Sequence, residues 1–177
     1  MESKNRINTA HLLLRPLDIS DLETAYPYSC DAEVTRYMMF YPHYAKKETE
    51  EFLKNVTADW QREKPEGYEF AVILGEKHIG SVSIYVLDEE RKTGELAWML
   101  AKPYQGQGYA TEAARALLEY AAKNLGMTKI IAQCDARNTA SERVMQKLGM
   151  KLAEAAGERI YPKTGEKAIE LTYEIKF

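Results

Sequence analysis

The 177-residue sequence has only two cysteines, Cys30 and Cys134. They lie far apart and in no CxxC or Cys/His pattern, which argues against a disulfide framework and against a zinc site. Long apolar runs are missing too. The longest uninterrupted one, "LAWMLA" from Leu96 to Ala101, is far shorter than the roughly 20 residues that span a bilayer. The first ten residues, "MESKNRINTA", lack the apolar core of a secretory signal. Charge of either sign is barely in excess, with 24 Lys and Arg against 27 Asp and Glu for a net charge of −3. A general nucleic-acid binder would show a basic surplus; a cationic substrate is compatible with this balance but not required by it. Repeats, low-complexity tracts and linkers are also absent. What remains is a soluble, cytoplasmic, single domain over residues 1–177. Its composition, 45% hydrophobic and 29% charged, is that of a globular chain long enough to bury a core.

Element signals run along the whole chain. "HLLLRPL" (His11 to Leu17) reads as a strand stopped by Pro16. Ser20 then stands as N-cap of a helix, with Glu23 at the capping-box position. A second helix is expected from about Lys47 to Glu63, where Phe52, Val56 and Trp60 recur at four-residue spacing. "YEFAVIL" and "HIGSVSIYVL" flank a short turn at Gly75–Lys77, and "ELAWMLA" follows. Together they predict an antiparallel meander. From Ala110 the apolar residues Ala113, Ala114, Leu117, Leu118, Ala121 and Leu125 mark a helix with one buried face, closed by Gly126. "KIIAQCD" (Lys129 to Asp135) returns as a strand after this crossover and should pair in parallel with a neighbour. A short helix from Thr139 to Leu148 ends at Gly149, and "KLAEAAGERIY" and "IELTYEIKF" form a terminal hairpin around "PKTGEK". The fold class is α/β of the α+β kind: a mixed, mostly antiparallel sheet of six to seven strands with about four helices.

One stretch carries chemistry, "KPYQGQGYATEAARALLEY" from Lys102 to Tyr120. A strand leads into a glycine-containing turn that opens a helix. The first helical N–H groups lack intrahelical partners, and the helix dipole places partial positive charge there. Glycine lets the backbone approach an anion without a Cβ in the way. This is a phosphate site in outline, although a plain surface turn capped by Gly108 shares these features. A Walker A loop is excluded, because no Lys-Ser/Thr pair follows the glycines. The dinucleotide pattern GxGxxG fits only through Gly106 and Gly108, since Thr111 replaces its third glycine. An antiparallel meander is also the wrong context for it.

"QGQGYA" matches the Q/R-x-x-G-x-G/A signature of the GNAT superfamily of N-acetyltransferases through Gln105, Gly108 and Ala110. The blocks "ELAWMLAKPYQGQGYATEAARALLEYA" and "NTASERVMQKLGM" resemble the paired acetyl-CoA motifs of that superfamily, and look most like the subgroup that acetylates N-terminal amines of ribosomal proteins. The element order agrees, so the resemblance covers nearly the whole chain. It implies a central parallel pair that splays, with a bulge in the strand before the loop. It implies that pantetheine runs along Met99, Leu100 and Ala101, with a main-chain N–H near Met99 or Leu100 polarising the thioester carbonyl. By the same resemblance the pyrophosphate rests on Gln105, Gly106, Gln107, Gly108, Tyr109 and Ala110, with Thr111 at the start of the helix. Asn138 matches the family asparagine near the pantetheine and is equally a good N-cap for the helix from Thr139.

The reaction so implied is direct attack of a neutral amine on the thioester, through a tetrahedral intermediate to a thiolate. Glu95 matches an acidic position common in the subgroup and is the candidate base, acting through water. Many relatives carry a Tyr seven residues after the asparagine as the acid, but here that position is Met145. Ser141, one helical turn earlier on roughly the same face, is the candidate instead, with Tyr161 as a backup donor. Cys134, His78 and His11 read as packing or surface groups. The aromatic group "YMMFYPHY" (Tyr37 to Tyr44) either lines an acceptor pocket or packs in the core. The implied donor is acetyl-CoA without a metal, and the acceptor is a protein N-terminal amine or a small amine such as a polyamine or amine antibiotic. A non-catalytic acyl-CoA sensor is the alternative of another class. No nucleic acid or membrane is expected as a partner, and the chain is a monomer or homodimer.

Overall fold

The structure, a computed structural model, describes residues 5–90 and 92–177. Among them the strands are β1 (Ile7–Asn8), β2 (Leu12–Pro16), β3 (Gly67–Leu74), β4 (Lys77–Asp88), β5 (Thr93–Leu100), β6 (Lys129–Asp135), β7 (Lys151–Ile160) and β8 (Lys167–Lys176). The helices are α1 (Leu22–Ser29), α2 (Lys46–Asp59), α3 (Tyr109–Asn124) and α4 (Thr139–Lys147). Short 3₁₀ turns at Ile19–Asp21 and Lys102–Tyr104 precede α1 and α3. One sheet holds every strand in the order β1-β2-β3-β4-β5-β6-β8-β7. All neighbours are antiparallel except β5 and β6.

Alternating side chains give this sheet two apolar faces, and each is covered by a pair of helices. On one, Phe70, Val82, Ile84, Leu96 and Leu100 meet Ala113, Ala114, Leu117 and Leu118 of α3 and Met145 of α4. On the other, Ala71 and Ile73 meet Ala25 and Tyr28 of α1 and Leu53 and Val56 of α2. The small alanines let α3 lie close to the strands. Leu117 and Leu118, 0% and 4% exposed, each bury enough apolar area to contribute about 1.5–3 kcal/mol.

Three local details differ from the expectations. The first turn is capped by Asp18, not Ser20: Ser20 N–H donates to Asp18 Oδ1 at 2.7 Å, and Asp21 completes the box by accepting from Asp18 N–H at 3.1 Å. Arg15 fixes this choice by pairing with both carboxylate oxygens of Asp21. Helix α2 stops at Asp59, and its buried stripe is Thr49, Leu53 and Val56, leaving Phe52 outside. Trp60 caps its end and lies edge-on to Tyr68 and Phe70. Strand β1, only two residues long, was not anticipated and adds the eighth strand.

Candidate active site

Parallel pairing between β5 and β6 lasts three rungs, Thr93↔Lys129, Gly94↔Ile130 and Glu95↔Ile131. Beyond Glu95 the strands part. β5 stays with β4 up to Gly80↔Leu100, and β6 stays with β8 up to Asp135↔Glu170. The opening needs no bulge in β5. Its ladder with β4 is regular from Gly94 to Leu100, and the register shift lies at Val86/Asp88, at the other end.

The opening leaves one edge of β5 with unpaired backbone groups. Successive residues of a strand present N–H and C=O to opposite edges. Ala101 N–H donates to Ile79 O across the β4 side at 2.9 Å, so Met99 also faces β4. The groups of Trp98 and Leu100 therefore face the opening. Leu100 O accepts from Gln105 Nε2 at 2.8 Å, which ties the loop to the end of the strand and gives that glutamine a structural reason. Trp98 was not anticipated; its edge becomes readable only once the β4 pairing is known.

The loop then turns through Gly106 and Gly108, at φ +75° and +90°, a region that L side chains rarely adopt. Gln107 Nε2 holds Pro103 O at 2.8 Å. Gly108 is the N-cap of α3 and accepts from Glu112 N–H at 3.0 Å. The preceding amides of Tyr109, Ala110 and Thr111 have no intrahelical acceptor. An open groove of about 780 Å³ starts at Gly108 and Thr111 and follows the outer face of α3 past Arg115 and Lys123. It touches the loop but not the opening between the strands.

Titratable groups gather on the α1/α2 face. Glu95 alternates with the buried Gly94 and Leu96, so its side chain lies on that face at the apex of the opening. Burial pushes its carboxyl up, Glu170 pushes it further, and Arg159 opposes both. Arg159 is itself buried, with Nη1 on Glu170 Oε2 at 2.5 Å and Nη2 on Tyr37 O at 3.1 Å. Asp135 is held down at about 2 by hydrogen bonds from Arg137.

Across the sheet, Asn138 caps α4 by accepting from Ser141 N–H at 3.2 Å. Ser141 stands partly exposed in the first turn, and Met145 is fully buried in the core. Glu95 thus lies on the α1/α2 face of the sheet, and Ser141 belongs to α4, which covers the other face. Tyr161 Oη donates to Asp135 Oδ2 at 2.8 Å and is 4% exposed, which commits the proton of the backup donor elsewhere. Cys134 is buried, and burial pushes its thiol up to about 11. His78 is enclosed between Thr24 and Gly80 O, whereas His11 meets Glu112 near the surface. Half of the aromatic group is exposed and none of it is buried in the core, with Met39, Phe40, Tyr41 and Tyr44 open. Tyr41 Oη fastens it to the β7–β8 hairpin at Pro162 O, 2.7 Å away. Among the described residues, no three His, Cys, Asp or Glu side chains could together hold a metal ion. No helix among them is long and apolar enough to cross a membrane.

Comparison with known proteins adds the following. Residues 11–151 match the family model for the Acetyltransferase (GNAT) domain. The N-acetyltransferase YnaD of Bacillus subtilis is 34% identical over 173 residues, covering 96% of this chain and 95% of its own. RimL, a ribosomal L7/L12 alpha-N-protein acetyltransferase solved with coenzyme A, superposes with a TM-score of 0.88 at 18% identity, over 98% of both chains. A spermidine N-acetyltransferase from Vibrio cholerae, solved with CoA and spermine, gives 0.81 at 20% identity over 94% of this chain and 96% of that one. At these identities the two superpositions bear on fold alone.

Proposed function

The chain belongs to the GNAT acetyltransferase family, and from that premise we propose that it acetylates a primary amine, with a protein N-terminal amine as the leading acceptor. Acetyl-CoA is the donor. The observation that carries the reading is the unpaired β5 edge, which runs from Glu95 at the apex to the glycine loop at the start of α3.

On this reading Leu100 N–H, rather than Met99 N–H, donates to the thioester carbonyl oxygen as negative charge grows there. The backbone amides from Gly106 to Thr111 hold the pyrophosphate against the positive end of α3, the Gln105 N–H being taken by Lys102 O. Glu95 takes the proton from the ammonium, so that the free amine attacks from the α1/α2 face. Ser141, on the far face, hydrogen-bonds the departing thiolate or relays to it the second proton that the nitrogen gives up as the C–S bond breaks. An α-amine, with an ordinary pKa near 8, already has a sizeable neutral fraction, whereas an aliphatic amine near 10.4 demands a stronger base. Burial and Glu170 raise the Glu95 carboxyl, and of the two amines the α-amine asks less of a carboxylate base.

Purified protein, acetyl-CoA and a panel of N-terminal peptides and polyamines test this by release of free CoA. Peptide turnover above polyamine turnover is the expected outcome. Turnover of polyamines alone would replace the acceptor. Tight calorimetric binding of acetyl-CoA without turnover of any amine would make the chain a sensor, a reading that buried Met145 at the usual Tyr position keeps in view.

A further inference from the structure

Glu69 is a buried carboxyl to which neither substrate binding nor the acid–base roles above assign a task. It stands on β3, 5% exposed, and among the described residues no Lys or Arg is one of the groups that act on it. Its side-chain partner is a hydroxyl on the neighbouring strand: Tyr85 Oη donates to Glu69 Oε1, and Ser83, directly across from Glu69, also favours the charged carboxyl. Its backbone is fixed on the same strand, where the main-chain carbonyl accepts from Leu17 N–H at 2.9 Å and from Trp60 Nε1–H at 3.1 Å.

Tyr85 is placed with equal care. Its ring passes over Gly67, where a Cβ would lie 2.9 Å from Tyr85 Cδ1. Only a residue without a side chain leaves that path open. The ring is 39% exposed, yet the hydroxyl turns inward to Glu69. On its other side Tyr85 is the direct cross-strand partner of Glu95. Both Glu69 and Glu95 oppose ionisation of the phenol, so Tyr85 stands within the field of both carboxyls. Carboxyl, phenol and carboxyl therefore occupy three adjacent strands, on the face where the amine is proposed to enter.

We propose that Glu69 receives the proton that Glu95 removes from the acceptor amine, with the Tyr85 hydroxyl as the link. This rests on the acetyltransferase reading of Glu95. The substrate N–H bond breaks as an O–H bond forms on Glu95. The Glu95 proton then passes over water to Tyr85 Oη, as the Tyr85 proton passes to Glu69 Oε1. Glu95 is a carboxylate again, Tyr85 is unchanged, and Glu69 is a neutral acid. Glu69 acts through Tyr85 and is a positioning residue for the proton.

Its surroundings suit the task. Burial pushes Glu69 up to about 7, against the hydrogen bond from Tyr85 and the nearby Ser83 hydroxyl. A group there accepts a proton near neutrality more readily than an ordinary carboxylate. Tyr28 of α1 is the titratable group facing it from the helix layer, while Glu170 and Arg159 face Glu95. As pH falls through about 7, Glu69 fills with a proton and the path closes.

Glu69→Gln and Tyr85→Phe test the link, with thermal melting to confirm folding. Each should lower kcat about tenfold, leave KM for acetyl-CoA unchanged, and remove the acid limb of the kcat–pH profile near neutrality. The double variant should be no slower than the worse single one, because both cut one path. Wild-type profiles in folded variants would overturn the proposal. A second readout does not need turnover: the infrared carbonyl band that Glu69→Gln abolishes should titrate at lower pH in Glu95→Gln. An unmoved band would equally overturn the link, even if the wild type acetylated no amine. Absence of wild-type turnover alone would instead count against the acetyltransferase assignment.

Discussion

Glu95 and Ser141 divide the proposed proton chemistry between two faces of one sheet, and substitutions at each separate the roles. Glu95→Gln keeps size and hydrogen bonding but cannot take a proton. It should lower kcat by a factor on the order of 10² to 10⁴. Because burial and Glu170 raise the Glu95 carboxyl, the wild-type rate should fall with decreasing pH at values above the ordinary glutamate range. The variant should lose that limb. An unaltered kcat–pH profile would reject Glu95 as base. Ser141→Ala is informative because the cap of α4 uses the Ser141 main-chain N–H, which alanine retains. Stability should stay within about 0.5 kcal/mol while kcat falls, so an unchanged kcat would remove Ser141 from the mechanism.

The start of α3 is the element whose sequence and task are most closely joined. Gly108→Ala meets no steric obstacle, since nothing lies within 4 Å of the added Cβ. Its backbone is left-handed at φ +90°, however, and a side chain there costs about 1–2 kcal/mol. The expected result is a lower melting temperature and a raised KM for acetyl-CoA, with kcat less affected. A kcat loss with unchanged KM would contradict a donor-binding role. This element was legible because its signals are local: the glycines, the alanine-rich stripe from Ala113 to Ala121, and Gly126 beyond its end. Elsewhere the deciding physics is tertiary. Asp18 and Ser20 are both good caps, and Arg15, at the end of β2 just before the turn, selects Asp18 by gripping Asp21, a pairing that cap preferences alone do not include. Phe52 and Leu53 are both apolar, and only the docked sheet decides that Leu53 turns inward. The divergence of β5 from β6 was expected only through family resemblance, because no residue in either strand encodes where its neighbour leaves. The free edge of Trp98 follows from that pairing. Glu69, a lone acid in the apolar run "YEFAVIL", was the signal passed over.

Over the whole molecule the two faces of the sheet differ in kind. Towards α3 the core is apolar, whereas towards α1 and α2 it contains Glu69, Ser81 and Ser83 on the sheet, with Tyr28 and Asp21 above them. Such a layer makes stability depend on pH. Glu69 binds its proton more tightly in the folded chain than in the unfolded one. Its contribution is therefore fully present below the ordinary value of 4.5 and is lost as pH rises through about 7. Moving one carboxyl across that interval corresponds to on the order of 3 kcal/mol. In a chain of this length that is roughly 6–12 °C of melting temperature. Glu69→Gln does not titrate, so whatever its amide gains or loses in packing is the same at pH 5 and at pH 8. The melting temperature of the variant relative to wild type should therefore rise by that amount between the two pH values. Other titrating groups cancel in the difference because both chains share them. A gap independent of pH would mean that the buried carboxyl is ionised throughout, and with it the reserve of proton affinity on this face would be gone.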